Sequence, residues 1–416
     1  MVLRFAHAYD SGGGTERYLD DVDAALLARN AMTIVRMHLT RNPSVQKTEM
    51  TIGRGRLVRI ALPVHGSAVQ GSGTNDESLA HRVKQQIRNW ALYNPLVWSL
   101  VGAKITTRMK LPRRPGEAIG AGSAAAELLR EGNVDLVVLH FFGGADADEI
   151  AGVAREAGVP IALLNHYSND RFLHLAIRKH AMFADHVAGV NGLQLPAYLR
   201  GRFTNLSDGI DTDFFSPDRA QPLPEPPPQP LVLLPARVIR EKGQLDLVRA
   251  AAILREQGIR CTIAFAGRVD ASSYVTELRR EISRATLDDS VLFLGGLTLE
   301  QLRDWYAASA VVAFPTYHHE GLGRVIVEAQ AMGRPVVAYA TGGVPDGIQS
   351  GRTGFLVRTG DTTGLAARIG ELVNSPSLQD SMAQAGRNAA ETNFSLEALA
   401  ERHTRFYLQA IGPRHR

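Results

Sequence analysis

Cysteine is almost absent: Cys261 stands alone in 416 residues, so no internal disulfide forms and a reducing compartment suits the chain. Long apolar runs are missing as well. No stretch approaches the about 18 uninterrupted apolar residues that a membrane-crossing helix requires. The first residues, Met1-Val2-Leu3-Arg4-Phe5-Ala6-His7, run straight toward a glycine cluster, without the apolar segment and cleavage site of a secretory leader, and a cytoplasmic location is the expectation. Acid is missing from one long stretch. Between Glu77 and Glu117 there is no Asp or Glu, while Arg82, Lys84, Arg88, Lys104, Arg108, Lys110, Arg113 and Arg114 are interleaved with Trp90, Tyr93 and Trp98. An anionic membrane surface would attract such a segment, each cation contributing on the order of 1 kcal/mol. A basic lining for an acceptor groove and a plain solvated face are the alternatives. The net charge of +4 is too mild to indicate nucleic acid as a partner, and no solenoid-type repeat is visible.

What is present is the composition of a folded globular protein, 45% apolar and 21% charged. A length of 416 residues exceeds one ordinary core and points to two domains. Residues 216–230 hold Pro217, Pro222, Pro224, Pro226, Pro227, Pro228 and Pro230, a density that denies donors to any sheet or helix and predicts a stiff linker. The expected organisation is therefore a domain over 1–215, the linker, a domain over 231–395, and a helix over 396–416 that packs back on the first domain. Both halves alternate strands with helices, the pattern of a parallel sheet covered on both faces. Strands are expected at 2–8, 31–39, 135–139 and 160–164, with helices at 15–30 and 149–157. In the second half strands are expected at 231–234, 262–266, 291–294, 311–314 and 335–338, and Thr298-Leu299-Glu300-Gln301 is a capping box. From Thr40 to about Asn75 the pattern specifies no element. The fold class is α/β, two Rossmann-like domains with a cleft between them.

Glu320 and Glu328 stand with seven residues between them, shortly after the apolar run Val311-Val312-Ala313-Phe314. A strand ending at Pro315, a turn through Gly321-Leu322-Gly323 and an apolar-periodic helix form the kind of place where open α/β sheets hold ligands. Glu320 falls on the loop and Glu328 about two turns further, inside the helix. Paired acids beside exposed N–H groups at a helix start suit a ligand rich in hydroxyls and carrying an anion. The turn after the strand at 231–234 carries Arg237, Lys242 and Gly243, two cations placed to neutralise a diphosphate. In the first half, Ser11-Gly12-Gly13-Gly14 separates strand from helix, where close backbone approach to a phosphate or sugar and a purely steric turn are both open readings. It is not a dinucleotide fingerprint, because the spacing is absent and the second strand ends in Leu39-Thr40-Arg41-Asn42, without the ribose-binding acid.

Together these motifs resemble the nucleotide-sugar-dependent glycosyltransferases of the large retaining family 4, also called glycosyl transferases group 1, which have the two-domain GT-B fold. The resemblance spans both halves and is strongest over 231–357. Arg237, Lys242 and Gly243 match the family's arginine and Lys-Gly turn. Glu320 and Glu328 match its paired glutamates, Thr341-Gly342-Gly343-Val344-Pro345 its Gly-Gly loop, and Gly351-Arg352-Thr353-Gly354-Phe355-Leu356-Val357 its closing turn and strand.

The resemblance implies that Arg237 and Lys242 bind the donor diphosphate and that Glu328 holds the ribose hydroxyls. It implies sugar contact by Glu320 and by the backbone of Gly321, Leu322 and Gly323, and base contact around Gly295, Gly296 and Leu297; the glycine loop itself makes Gly13 and Gly14 the candidate donor contacts of the first half. His166, which follows the strand at 160–164, corresponds to the family's active-site histidine. The implied activity is retaining hexosyl transfer from a UDP- or GDP-linked sugar to a glycan or lipid-linked acceptor in cell-surface polysaccharide or glycolipid synthesis. An epimerase or phosphorylase of the same architecture, or a non-catalytic scaffold subunit, are the alternative readings.

Asp346 replaces the usual glutamate after the Gly-Gly turn, and Ser207-Asp208-Gly209 the commoner Asn-Gly, both of which bear on donor selectivity. The triplets Asp21-Val22-Asp23, Asp146-Ala147-Asp148 and Asp211-Thr212-Asp213 do not end strands beside a nucleotide-type loop, so no metal and no other cofactor is expected.

Overall fold

A computed structural model describes residues 1–6, 14–30, 32–40, 46–52, 54–63, 121–131, 134–140, 145–165, 184–191, 201–269 and 272–412. The chain divides into two compact units, Met1–Leu206 with Arg402–Arg416, and Ser207–Glu401.

The first unit contains β1 (Val2–Ala6), α1 (Gly14–Arg29), β2 (Thr33–Thr40), β3 (Gln46–Ile52), β4 (Gly55–Pro63), α2 (Ala121–Arg130), β5 (Leu136–His140), α3 (Ala145–Glu156), β6 (Ile161–Asn165), β7 (His186–Gly189) and β8 (Phe203–Asn205). These strands form one eight-stranded sheet in the order β3-β4-β2-β1-β5-β6-β7-β8. Every pairing is parallel except β3 with β4, an antiparallel hairpin on the edge. β5 reads Leu136-Val137-Val138-Leu139-His140 and is buried throughout, as a central parallel strand covered on both faces must be. Ile150 and Ala154 of α3 bury against Val137, Leu139 and Leu163 in this unit's core.

The hairpin occupies part of the stretch for which the sequence specified nothing. Its outer strand, Gln46–Ile52, carries Thr48, Glu49, Met50 and Thr51 on the exposed surface, and Glu49 pairs with Arg56 across the hairpin at 2.9 Å. An edge strand wetted in this way has little apolar alternation to announce it.

The second unit contains β9 (Leu231–Leu234), α4 (Gln244–Glu256), β10 (Thr262–Ala266), α5 (Ser272–Arg284), β11 (Val291–Gly295), α6 (Leu299–Ala308), β12 (Val311–Phe314), α7 (Arg324–Ala331), β13 (Val336–Tyr339), α8 (Val344–Gly347), β14 (Gly354–Val357), α9 (Thr362–Val373), α10 (Pro376–Asn393) and α11 (Leu396–Ile411). The last turns of α11 belong to the first unit, where His403, Phe406 and Tyr407 are buried and Phe406 meets the His186 ring edge-on at 6.2 Å. The sheet is six-stranded and all parallel, β11-β10-β9-β12-β13-β14. Both halves of the capping box at α6 form, with Gln301 N donating to Thr298 Oγ1 at 3.2 Å and Thr298 N to Gln301 Oε1 at 2.9 Å.

The strand order reverses beside β9: the chain steps outward to β10 and β11, then returns to place β12 on the other side. The carboxyl ends of β9 and β12 therefore flank a topological switch point, the position at which such sheets leave a crevice for ligands.

The proline-rich segment is not where the chain changes unit. The division falls at Leu206/Ser207, and residues 216–230 belong to the second unit. Proline removes donors but leaves carbonyls and rings available for packing, and non-proline neighbours still anchor the strip. Phe215 is fully buried with its carbonyl accepting from Arg387 at 2.7 Å, Pro217–Arg219 form a 3-10 turn, and Gln221 N donates to Asp304 at 2.9 Å.

Candidate donor site in the second unit

β9 runs Leu231-Val232-Leu233-Leu234, wholly buried, and delivers the chain to a turn that carries Arg237 exposed and Lys242 half-buried. Gln244, fully buried at the start of α4, donates from Nε2 to the Arg237 carbonyl at 2.9 Å. The intervening Arg240–Lys242 segment is a single 3-10 turn closed by Gly243 at φ +73°. Arg240 faces away from this arrangement toward α5, pairing with Glu277 and lying 5.1 Å from the Tyr274 ring centre.

β12 runs Val311-Val312-Ala313-Phe314 beside β9 and ends in the loop that carries Glu320. The Lys242 ammonium forms an ion pair with Glu320 Oε1, with side chains 15% and 19% exposed, and sits 5.8 Å from the Phe314 ring centre. A pair at this degree of burial is screened less than a surface bridge, though still hydrated. Gly343 N donates to the Glu320 carbonyl at 2.9 Å, so the Gly-Gly turn after β13 braces the same residue from the other side.

Glu328 lies inside α7 and is 5% exposed. Its Oε2 accepts from the Tyr306 hydroxyl at 3.0 Å, and Oε1 lies 3.9 Å from Arg324 Nε, one helical turn back. Arg324 also donates from Nη1 to the Gly209 carbonyl at 3.1 Å and lies 3.4 Å from Asp208 Oδ1. The two glutamates thus have separate cations, Lys242 for Glu320 and Arg324 for Glu328. Leu322, between them, is 2% exposed and belongs to the core.

Gly295 ends β11 and Gly296 and Leu297 follow it at the sheet edge, two strand positions from β9, about 10 Å at ordinary strand spacing. An added Cβ at Gly295 or Gly296 would meet no atom within 4 Å, so open space surrounds both. That separation suits the length of a nucleotide better than a compact ligand. In the first unit Gly14 is the first residue of α1, whereas Gly13 and His166 lie outside the described residues, as does the basic and aromatic stretch at 81–114. Among the described residues no helix is long and apolar enough to cross a membrane, and no group of three or more His, Cys, Asp or Glu gathers as metal ligands.

Sequence reasoning found Lys242, Glu320 and Glu328 but missed their partners. Arg324 was accessible from helical spacing, four residues before Glu328. Tyr306 gave no signal, since an apolar helix face explains a tyrosine there equally well. Asp246, Tyr317 and Tyr339, which join beneath the Glu320 loop, were likewise silent.

Residues 216–389 match the family described as Glycosyl transferases group 1. The chain is 28% identical over 369 residues to the GDP-mannose-dependent alpha-(1-6)-phosphatidylinositol monomannoside mannosyltransferase of Mycolicibacterium smegmatis, covering 82% of this chain and 88% of that one. Its structure resembles a glycosyltransferase from Rickettsia africae, with TM-score 0.70 and 18% identity over 99% of this chain and 98% of the other. Anabaena HepE, crystallised with UDP, is similar at TM-score 0.65 and 18% identity, covering 97% and 98% of the two chains. At such identity the structural likeness speaks for the fold, and the sequence matches carry the activity. Residues 216–389 are those of the group 1 glycosyltransferases, the fold is that of the GT-B enzymes, and the sequence matches make the chain a hexosyltransferase that uses a nucleotide sugar.

Proposed function

We propose that the chain transfers a hexose with retention from a GDP- or UDP-linked donor to a lipid-linked glycan, without a metal ion. The observation that carries this reading is the Lys242–Glu320 pair across the switch point of the second sheet. A donor diphosphate arriving there competes with Glu320 for the ammonium, which frees the carboxylate to face the sugar. Arg237 adds a second cation in the same turn, and Glu328, fixed by Tyr306, accepts from the ribose hydroxyls. Gly321, Leu322 and Gly323 present backbone to the sugar, and Gly295, Gly296 and Leu297 present it to the base. His166 enters as a sugar contact on the family resemblance, and Gly13 and Gly14 as phosphate or sugar contacts on the glycine loop between the first strand and helix.

In the step itself the sugar–phosphate bond breaks while the acceptor oxygen bonds to the same face of the sugar. The acceptor proton passes to a leaving phosphate oxygen. Negative charge grows on that phosphate, so Lys242 and Arg237 stabilise the transition state more than the bound donor. Two cations on a diphosphate meet the electrostatic need that a divalent ion fills elsewhere. The M. smegmatis relative makes GDP-mannose the first donor to try and a phosphatidylinositol mannoside the first acceptor. Work on such an acceptor would place the chain on the inner face of a membrane, with the basic stretch at 81–114 as the contact.

The test begins with melting curves against GDP-mannose, UDP-glucose and UDP-N-acetylglucosamine, followed by steady-state transfer with the donor that stabilises most. Lys242→Ala and Glu320→Ala should each lower kcat about 100-fold, whereas Glu328→Ala should chiefly raise the donor KM. Equal losses in both parameters for the two glutamate variants would remove the division of roles. An inverted anomeric carbon in the product would refute retention, and loss of rate in EDTA would refute metal independence. Failure to sediment with anionic liposomes at low salt would remove the membrane contact.

A further inference from the structure

Lys242 and Glu320 sit on loops that follow different strands, and their meeting depends on how those loops are fastened. Backbone groups supply part of the fastening. The Glu241 carbonyl accepts from Tyr317 N at 2.8 Å, Thr316 Oγ1 at 3.1 Å and His318 N at 3.3 Å. Gly243 lies so near Pro315 that an added Cβ would fall 2.0 Å from the Pro315 carbonyl oxygen.

A side-chain cluster supplies the rest. Asp246, in the first turn of α4, is 6% exposed, and its Oδ2 accepts from two phenols. One is Tyr317, three residues before Glu320; the other is Tyr339 at the end of β13, at 2.8 Å. Arg249 lies 3.9 Å from Oδ1, and the two tyrosine rings meet edge-on at 5.6 Å. A carboxylate in the first turn of a helix is favoured by the helix dipole, and phenol hydrogen bonds to an ionised acceptor are stronger than those between neutral groups. Tyr317 itself is 43% exposed, so packing alone confines it poorly and its hydroxyl bond is what fixes the ring.

We propose that Asp246 is a positioning residue for sugar transfer: through the Tyr317 hydroxyl it holds residues 315–320 against the Lys242 turn, and so sets Glu320 without setting Glu328. The inference rests on the proposed role of Glu320 at the sugar. Displacement of a reacting or stabilising group by about 1 Å is enough to cost rate while leaving substrate affinity intact. Glu328 answers to other partners, Tyr306 and Arg324, and is insulated from this cluster by its place inside α7.

The experiment uses the full chain with Tyr317→Phe, which removes one oxygen from a half-exposed side chain, and Asp246→Asn, which keeps the volume. Amide hydrogen exchange, which needs no substrate, should quicken across 316–320 in both variants and stay unchanged across α7. Nucleotide release is then followed from whichever of GDP-mannose, UDP-glucose or UDP-N-acetylglucosamine stabilises the protein most. Tyr317→Phe should lower kcat about 3- to 10-fold at constant donor KM. It should add no loss to Glu320→Ala and its full loss to Glu328→Ala, a pattern that a general weakening of the fold would not produce. Unchanged exchange across 316–320, or full additivity with Glu320→Ala, overturns the proposal. If Glu320→Ala itself leaves kcat intact, the assigned role of Glu320 fails, while the exchange result still decides whether Asp246 fastens the loop.

Discussion

A phenol held in a partly buried site beside a carboxylate resists ionisation, because the phenolate would lose hydration and then face the charge of Asp246. Both causes push Tyr317 up to about 12, and the same two raise Tyr339. In the unfolded chain a tyrosine ionises near about 10. Folded values above the unfolded one mean that these groups contribute stability fully below that pH and lose it as pH rises through the folded values. The urea midpoint should therefore fall steeply between about pH 10 and 12, and Tyr317→Phe should flatten that fall relative to its own midpoint at pH 9. A fall equally steep in the variant would show that other groups govern the alkaline limb. At this scale the sequence revealed charge and spacing but not partnership. Lys242 and Glu320 were visible because cations and acids are conspicuous near glycine turns. Asp246 looked like an ordinary acid in a first helical turn, and only the fold shows that two phenols from different loops converge on it.

Among the elements, the turn from β9 to α4 has little freedom. Gly243 combines φ +73° with a Pro315 carbonyl oxygen that would lie 2.0 Å from an added Cβ, and a backbone oxygen cannot swing aside. Gly243→Ala should cost about 1–3 kcal/mol in urea unfolding and separate Lys242 from Glu320, so that turnover falls further than donor affinity. Gly295→Ala supplies the contrast, since open space leaves it only the backbone penalty. A Gly243→Ala protein as stable and as active as the parent would show that the turn tolerates a shift. Elements of the second unit were legible in the sequence because buried parallel strands such as Val311-Val312-Ala313-Phe314 read as unbroken apolar runs between helices. The β3–β4 hairpin was not legible, because its edge strand is polar from Gln46 to Glu49 and carries only Met50 and Ile52 as apolar residues. The proline-rich strip misled for a related reason: composition shows which backbone donors are missing, whereas docking there depends on Phe215, Gln221 and distant partners such as Arg387.

Across the whole molecule, each unit keeps its own core, one around Val137, Leu139 and Leu163, the other around Val232, Leu234 and Ile263. Cys261 belongs to the second core; it is 6% exposed, and burial pushes its thiol up to about 11. A thiol both shielded and protonated at neutral pH reacts with a disulfide reagent only when the second unit opens. Labelling of Cys261 thus reports that unit alone. Saturating GDP or UDP at about 100 times its dissociation constant should slow labelling about 100-fold, and a nucleotide that left the rate unchanged would not be bound in the second unit.

The unequal continuity of the two units also sets an order of manufacture. Ser207–Glu401 is one uninterrupted stretch, whereas the first unit lacks part of itself until Arg402–Arg416 has been added. On the ribosome the second unit can therefore mature while its predecessor waits, with Arg402 still to reach the Leu206 carbonyl it meets at 2.7 Å.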